Sequence, residues 1–131
     1  MSYLELIALD EAIAVEIMGW RRDEHRWLDA DGAFKACNID YIHIPAGDSE
    51  DRIFRPTLHA KFAFQVVAKL AEIGLRLRLI DDSTSELLSW AARFYRHPVN
   101  VSRVGKYAET PELAICRAAI AAIRREKGER E

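Results

Sequence analysis

The sequence predicts an α+β fold, arranged as an α-β-α layered sandwich of three helices and a mostly antiparallel sheet of about five strands. Three segments carry apolar residues at helical spacing, which indicates helices with one buried face. Segments between them alternate apolar and polar residues, as half-buried strands do. The predicted order is helix, hairpin, helix, three strands and helix, without an internal repeat.

The composition is typical of one globular domain. Of 131 residues, 50% are hydrophobic and 31% are charged. We therefore expect a single domain over residues 1–131, with residues 127–131 frayed. A formal net charge of −2 disfavours a protein dedicated to duplex DNA, so nucleic acid is not the expected partner.

Cysteine usage and the N-terminus bear on the cellular compartment. Cys37 and Cys116 form no disulfide framework in a chain of this size, so we expect both to be reduced. The N-terminal segment lacks the basic-then-apolar order of a signal peptide. No apolar run approaches the ~20 residues that cross a bilayer. These features predict a cytoplasmic protein without a membrane segment.

The first helix is expected over residues 3–18, ending at Gly19. Its apolar stripe comprises Leu6, Leu9, Ile13, Ile17 and Trp20, widened by Ile7, Ala14 and Met18. Residues 21–25 are then expected to form a charged turn. Residues 27–32 read as a short strand that runs into a tight turn, and residues 38–44 as its return strand.

The turn after the first predicted strand partly fits a calcium loop. Asp29 and Asp31 precede Gly32 at the right spacing. Further oxygen ligands would be needed where the chain has Phe34, Lys35 and Cys37. The pattern therefore favours turn chemistry over a calcium site.

The second helix is expected to begin after a polar loop at residues 45–51. Pro56 disfavours helical backbone at the residue before it, which makes Thr57 the expected N-cap. Gly74 is the expected C-terminal stop. The predicted buried face comprises Phe62, Ala63, Val66, Val67, Leu70 and Ile73. Residues 75–80 then alternate leucine and arginine as a strand with one basic face.

Two further strands and a helix complete the prediction. Residues 87–96 alternate a face with Leu88, Trp90, Ala92 and Phe94 and a face with Ser89, Ala91, Arg93 and Tyr95. Residues 99–108 form another extended segment. Thr110, Pro111 and Glu112 indicate a helix start, with Gly128 at its end. Its expected buried stripe is Leu113, Cys116, Ile120 and Ile123, with Arg117, Arg124 and Arg125 facing water.

Several segments resemble the phage ABA-sandwich domain family over nearly the whole chain. The most specific are residues 109–119 (ETPELAICRAA) and residues 18–20 (MGW). Residues 27–32 (WLDADG), and residues 54–57 (FRPT) leading into residues 62–67 (FAFQVV), also fit. The second helix departs from the family pattern, because residues 58–61 replace a more acidic, alanine-rich start and Phe64 stands where tryptophan is usual.

This resemblance implies an α-β-α sandwich encoded by a phage or prophage. It implies no established enzymatic activity and supplies no catalytic residues. The residues themselves agree, because His25, Cys37 and His43 match no zinc spacing and neither cysteine has a sequence neighbour that would activate it. No cofactor is therefore expected, and the chain is read as a non-enzymatic protein.

Two sets of side chains are candidate ligand sites. The first set shares a sheet face if the three strands are neighbours: Arg76, Arg78, Arg93, Tyr95 and Arg103. The second set lies at a helix N-terminus, where free N–H groups favour an anion: Arg52, Arg55, His59 and Lys61. Each set also has a simpler interpretation, as a solvated face or as a network paired with acids.

Two functional hypotheses follow. The first is a phage or prophage protein that binds a small anionic ligand at the basic sites, such as a nucleotide signal of host defence, in the cytoplasm of the infected host. The second is a structural or adaptor protein that acts through protein contacts as a homo-oligomer. Tyr3, Leu4 and Phe54 are the apolar residues that motivate it.

Overall fold

The computed structural model describes residues 2–38, 52–81, 90–96 and 104–128, with the backbone alone at 104–107. The described elements are three helices and two three-stranded antiparallel sheets. They are α1 (Tyr3–Glu16), β1 (Arg21–Asp23), β2 (Arg26–Leu28), β3 (Phe34–Cys37), α2 (Ala60–Ala71), β4 (Leu75–Asp81), β5 (Trp90–Arg96), β6 (Val104–Ala108) and α3 (Pro111–Glu126). The predicted α+β class is confirmed, but the strands divide between two sheets instead of forming one.

Helix α3 lies at the centre of the molecule. It packs on β5 and β6 and also contacts α1 and α2. The predicted start is confirmed, because Thr110 Oγ1 accepts the N–H of Leu113 at 3.2 Å and Pro111 is the first helical residue. Contacts on several sides bury more than the predicted stripe: Leu113, Ala114, Ile115, Cys116, Ala118, Ala119, Ile120, Ala122 and Ile123.

Helix α1 packs against α3, and an ion pair joins the two helices. Arg124 was expected to face water, but its Nε and Nη2 bind the Glu16 carboxylate at 3.0 and 2.8 Å. A capping box starts α1, since Glu5 N–H donates to Ser2 Oγ and Ser2 N–H donates to the Glu5 carboxylate. The predicted helix is thus confirmed, with Ile13 fully buried on its inner face.

The small sheet differs from the predicted hairpin in two ways. Arg21–Asp23 is a strand rather than a turn, because it pairs with β2 and leaves only Glu24 and His25 to reverse the chain. The return strand is β3 rather than residues 38–44, of which residues 39–44 lie outside the described ranges.

Asp29 accounts for the early return of the chain. Its Oδ1 accepts the N–H groups of Asp31 and Ala33, each at 2.9 Å, so the chain reverses and strand pairing resumes at Phe34. These bonds, with that from Ala33 foremost, lower the pKa of the Asp29 carboxyl. Asp29 therefore has the role in the turn that the sequence indicates.

Helix α2 begins two residues later than predicted, at Ala60. Its N-cap is His59, whose side chain makes no capping bond, whereas Thr57 is buried and bonded elsewhere. Gly74 follows the helix with φ of +87°, as the predicted stop requires. The buried residues of α2 are Phe62, Ala63, Val66 and Leu70. Ile73 is 44% exposed, so its predicted burial is wrong.

The larger sheet has the strand order β4-β5-β6. Its inner face packs on α2 and α3 and includes Leu75, Ala92, Phe94 and Ala108, all buried. The alternation predicted for β4 and β5 is confirmed over the described residues. Residues 82–89 and 97–103, which include parts of two predicted strands and a turn, lie outside the described ranges. Within those ranges, no helix is long and apolar enough to span a membrane.

Candidate functional site

Arg55, a member of the predicted helix N-terminal cluster, is directed into the protein. It is only 6% exposed, and its Nε donates to Asp10 Oδ2 at 2.7 Å. Its guanidinium carbon also lies 5.6 Å from the centre of the Tyr3 ring. Arg55 therefore neutralises an internal carboxylate and does not face a ligand from solvent.

The Asp10 carboxylate is the centre of a buried polar network. Besides Arg55, it accepts the N–H of Thr57 at 2.9 Å and the Thr57 hydroxyl at 3.0 Å. Burial raises the pKa of Asp10, while the bonds from Thr57 and Arg55 act in the opposite direction. The network joins α1 to the segment before α2 and explains why Thr57 is not the helix cap.

Sequence reasoning missed this network, although one signal was available. Asp10 lies three residues before Ile13 and four before Ala14, and therefore on the buried face of α1. An acid at such a position needs a buried partner. That partner is 45 residues away, so no local spacing identifies it.

Two other residues of the helix N-terminal cluster lie beside Phe62. The centre of the His59 ring lies 6.4 Å from the centre of the Phe62 ring. Lys61 Nζ lies 5.4 Å from the centre of the Phe62 ring. Arg52 is exposed and has a partner of its own. Because Arg55 is turned towards Asp10, the four predicted basic residues do not form one shared anion site.

The larger sheet, in contrast, brings four predicted site residues onto one face. In the pairing of β4 with β5, Arg76 lies opposite Tyr95 and Arg78 lies opposite Arg93. The alternation of side chains places all four away from α2 and α3. We call these four residues the arginine face. Arg103, the fifth member of the predicted set, lies outside the described residues.

The arginine face concentrates positive charge. Arg76, Arg78 and Arg93 are exposed, and within the described ranges none of them has an ion pair or side-chain hydrogen bond. Residues directly opposite each other on antiparallel strands have Cβ atoms about 5 Å apart, so Arg78 and Arg93 repel each other. The face is therefore locally basic on a chain whose net charge is −2.

The chemistry available on the arginine face is recognition of an anion beside an aromatic ring. A guanidinium donates two parallel hydrogen bonds to phosphate or carboxylate oxygens. Half-buried Tyr95 supplies a ring on the same face. A phosphate bound between Arg78 and Arg93 would relieve their repulsion.

The two cysteines lie in different surroundings. Cys116 is fully buried in α3, and burial raises the pKa of its thiol well above the ordinary value, with the charges of Asp10 and Glu112 acting in the same direction. Cys37 is half-buried on β3. Among the described residues, no group of three or more His, Cys, Asp or Glu could hold a metal ion. His43, which the sequence paired with His25 and Cys37, lies outside those residues.

Comparisons with known proteins agree with the resemblance predicted from sequence. No curated protein matches the chain. A solved phage protein from Bacillus cereus ATCC 14579 shares its fold, with a TM-score of 0.59 over 89% of this chain and 90% of that chain, at 16% identity. The family model of the phage ABA sandwich domain matches residues 11–120. Because this match spans most of the sequence, the chain belongs to the phage ABA sandwich domain family.

Proposed function

We propose that this protein binds a phosphorylated ligand on the arginine face. The observation that carries the proposal is the direct opposition of Arg78 and Arg93, both exposed and without an acidic partner in the described part of the chain. Like charges placed opposite each other across strands destabilise the folded state. An anion that bridges them offsets this repulsion and binds with charge-assisted hydrogen bonds.

The neighbouring residues support a ligand with a planar group next to its phosphate. Arg76 extends the positive charge along β4, and Tyr95 lies beside Arg93 on β5, two residues along the strand. An aromatic ring next to a phosphate-binding arginine suits a nucleotide. The proposal assigns binding without turnover, because the four residues include no general base or activated nucleophile.

The phage family supplies a biological context by analogy alone. A nucleotide that signals host defence has the required chemistry, and a phage protein that sequesters it in the cytoplasm of the host would act against that defence. This role needs binding only, in agreement with the residues of the face.

Calorimetry tests the proposal. The purified chain is titrated with a panel of linear and cyclic nucleotides and with inorganic phosphate. We expect heat of binding from at least one nucleotide, and loss of that heat in the double variant Arg78→Gln with Arg93→Gln. The matched control is Arg125→Gln, which removes an exposed arginine from α3. The proposal is overturned if no compound gives heat. It is also overturned if the double variant gives as much heat as the Arg125→Gln control.

A second candidate function is a protein contact made by α1 as a homo-oligomer. Leu4 is 75% exposed and Tyr3 is 60% exposed, both in the first turn. Phe54, which the sequence grouped with them, is 2% exposed and does not contribute to a surface. Its ring packs edge-on against Trp20 at 4.8 Å and Phe62 at 5.3 Å.

Light scattering tests this second candidate. If α1 forms the contact, the wild-type chain is larger than a monomer and Leu4→Glu converts it to a monomer. An unchanged mass in that variant, or a wild-type monomer that captures no partner, counts against the contact.

A further inference from the structure

The arginine face is open in the part of the chain that the structure describes. Helices α2 and α3 cover the inner face of the sheet, and no described helix lies over the outer face. Sites for small molecules are concave and enclose about 70–90% of the ligand surface. An open face contacts a ligand from one side only. It therefore favours an extended ligand that gains affinity by repeating the same contacts.

The arginines are placed to contact more than one phosphate. Arg76 and Arg78 lie two residues apart on β4, a separation of about 7 Å along the strand. Arg93 lies across from Arg78 on the next strand, about 5 Å away between the backbones. A phosphate held between Arg78 and Arg93 leaves Arg76 available to contact a second phosphate farther along β4. A flexible chain of phosphates can follow the three arginines.

The fourth residue indicates that the bases of this chain are unpaired. Tyr95 lies on the same face as the three arginines, opposite Arg76. An aromatic side chain beside a basic track stacks on bases that are free of a duplex, and this stacking is tolerant of sequence. In a duplex the flat faces of the bases are stacked inside and cannot meet Tyr95. Three arginines also offer few contacts to the rigid duplex backbone.

We propose that the arginine face binds single-stranded nucleic acid, with Arg76, Arg78 and Arg93 on the phosphates and Tyr95 stacked on a base. This inference rests on the proposed function and names the class of its ligand. It revises the expectation that nucleic acid is not a partner. That expectation came from the net charge of the whole chain, whereas binding depends on the local charge of this face.

Fluorescence anisotropy with labelled oligothymidylate of twelve nucleotides tests the inference. We expect affinity to rise from the dinucleotide to the twelve-mer, with thymidine monophosphate a weak competitor at equal phosphate concentration. Three phosphate contacts predict a slope of about −2 for log affinity against log salt. The double variant Arg78→Gln with Arg93→Gln should reduce that slope to about −0.7, and Arg125→Gln should leave it unchanged.

Tyr95 supplies a second, salt-independent readout. Tyr95→Leu should weaken twelve-mer binding by roughly 5- to 150-fold while keeping the salt slope, because base stacking is lost and the phosphate contacts remain. Tyr95→Phe keeps the ring and should bind within about twofold of wild type. Circular dichroism confirms that each variant is folded.

The possible outcomes separate the two proposals. If a mononucleotide binds as tightly as the twelve-mer and both depend on Arg78 and Arg93, the proposed function stands and this inference is overturned. The same holds if a duplex of equal length binds more tightly than the single strand. If the twelve-mer binds equally well to the wild type and the double variant, or if neither thymidine probe binds, this inference is overturned, and the calorimetric panel alone decides the proposed function.

Discussion

Arg55 and Arg78 show how differently two arginines of one sequence can be placed. Arg55 is 6% exposed and bonded to the buried Asp10 carboxylate. Arg78 is exposed and lies opposite another arginine. The first charge is neutralised inside the protein, and the second remains available to solvent. Whether an arginine can bind an external anion therefore depends on acids that are distant in sequence and close in the fold.

The two environments also differ in the sign of their energetic effect. A buried carboxylate without its partner is a charge in a medium of low polarity, so each member of the Asp10 network requires the other. An exposed arginine opposite another arginine adds repulsion to the folded state. Removing a charge from the Asp10 network should therefore destabilise the protein, whereas removing a charge from the arginine face should stabilise it.

The largest predicted effect is in the buried network. Asp10→Asn leaves the Arg55 charge without its counter-ion and should lower the free energy of unfolding by about 3–5 kcal/mol. Urea denaturation at pH 7 measures the change. The matched control is Asp23→Asn, because Asp23 pairs with Arg26 at the surface and should cost less than about 1 kcal/mol. Equal losses in both variants would contradict a buried ion pair at Asp10.

A double substitution separates the loss of the pair from the loss of packing. Asp10→Leu with Arg55→Met removes both charges and keeps apolar volume. Replacing a whole buried pair in this way is often neutral or stabilising. The double variant should therefore recover most of the stability that Asp10→Asn loses. A double variant less stable than Asp10→Asn would show that hydrogen bonding to Thr57 dominates the network.

Arg96 is an intermediate case, and Gly74 tests it. Arg96 is exposed, yet it pairs with Glu126 and its Nη1 donates to the Ile73 carbonyl at 2.6 Å. An added Cβ at Gly74 would lie 2.8 Å from that Nη1. Gly74→Ala should destabilise by roughly 1–2 kcal/mol for the left-handed backbone and by about 1 kcal/mol more for the displaced bond.

Gly128→Ala is the control for the backbone effect. Gly128 has φ of +78°, and an added Cβ there meets no atom within 4 Å. Thermal unfolding of the two variants isolates the contribution of Arg96. If Gly74→Ala and Gly128→Ala lose equal stability, the hydrogen bond from Arg96 adds nothing to the stability of the fold. Exposed arginines with partners would then behave like exposed arginines without them.

A smaller effect is expected for the surface pair of Glu16 and Arg124, and it depends on pH. Hydrogen bonds from Arg124 lower the pKa of the Glu16 carboxyl below its ordinary value near 4.5. The unfolded state therefore takes up the proton first as pH falls. The pair's stabilisation is complete above pH 4.5 and is lost as pH falls through the lower, folded-state pKa.

Denaturation of the wild type and Glu16→Gln measures this contribution. At pH 7 the variant should be less stable by about 0.5–1 kcal/mol, and at pH 3 the difference should shrink. Glu109→Gln alters an exposed acid for which no ion pair is described and serves as the control. If the difference in stability between the wild type and Glu16→Gln is the same at pH 7 and pH 3, the ionised Glu16 carboxylate is not its cause.

The parts of the fold that were predictable are those set by local spacing. The start of α3 follows from Thr110 and Pro111, whose capping and backbone preferences act within one turn. The alternation of Arg76 and Arg78 follows from the pleat of a strand. In both cases the residues that decide the structure are neighbours in sequence.

The parts that were not predictable depend on distant partners. Thr57 has the chemistry of an N-cap, but Asp10 binds both its N–H and its hydroxyl, so α2 begins later. The division into two sheets depends on which strand edges meet. The arginine face depends on the register that places Arg93 opposite Arg78, and one residue of slip would move Arg93 to the other side of the sheet.

The smallest predicted effect has the opposite sign and tests the arginine face directly. Arg78→Gln should stabilise the protein by about 0.2–1 kcal/mol in a buffer without phosphate, because it removes the repulsion from Arg93. Arg125→Gln changes the net charge equally from α3 and should lie within about 0.5 kcal/mol of wild type. Thermal unfolding measures both variants.

A comparison of phosphate with chloride distinguishes binding of an anion from general screening of charge. At equal ionic strength, phosphate should stabilise the wild type more than chloride does and should reduce the advantage of Arg78→Gln, because a bound anion already neutralises the pair. If Arg78→Gln is instead destabilising, Arg78 has a stabilising partner. Arg78 would then differ from Arg55 only in its exposure to solvent. The positive charge of the arginine face would not be free to bind a ligand.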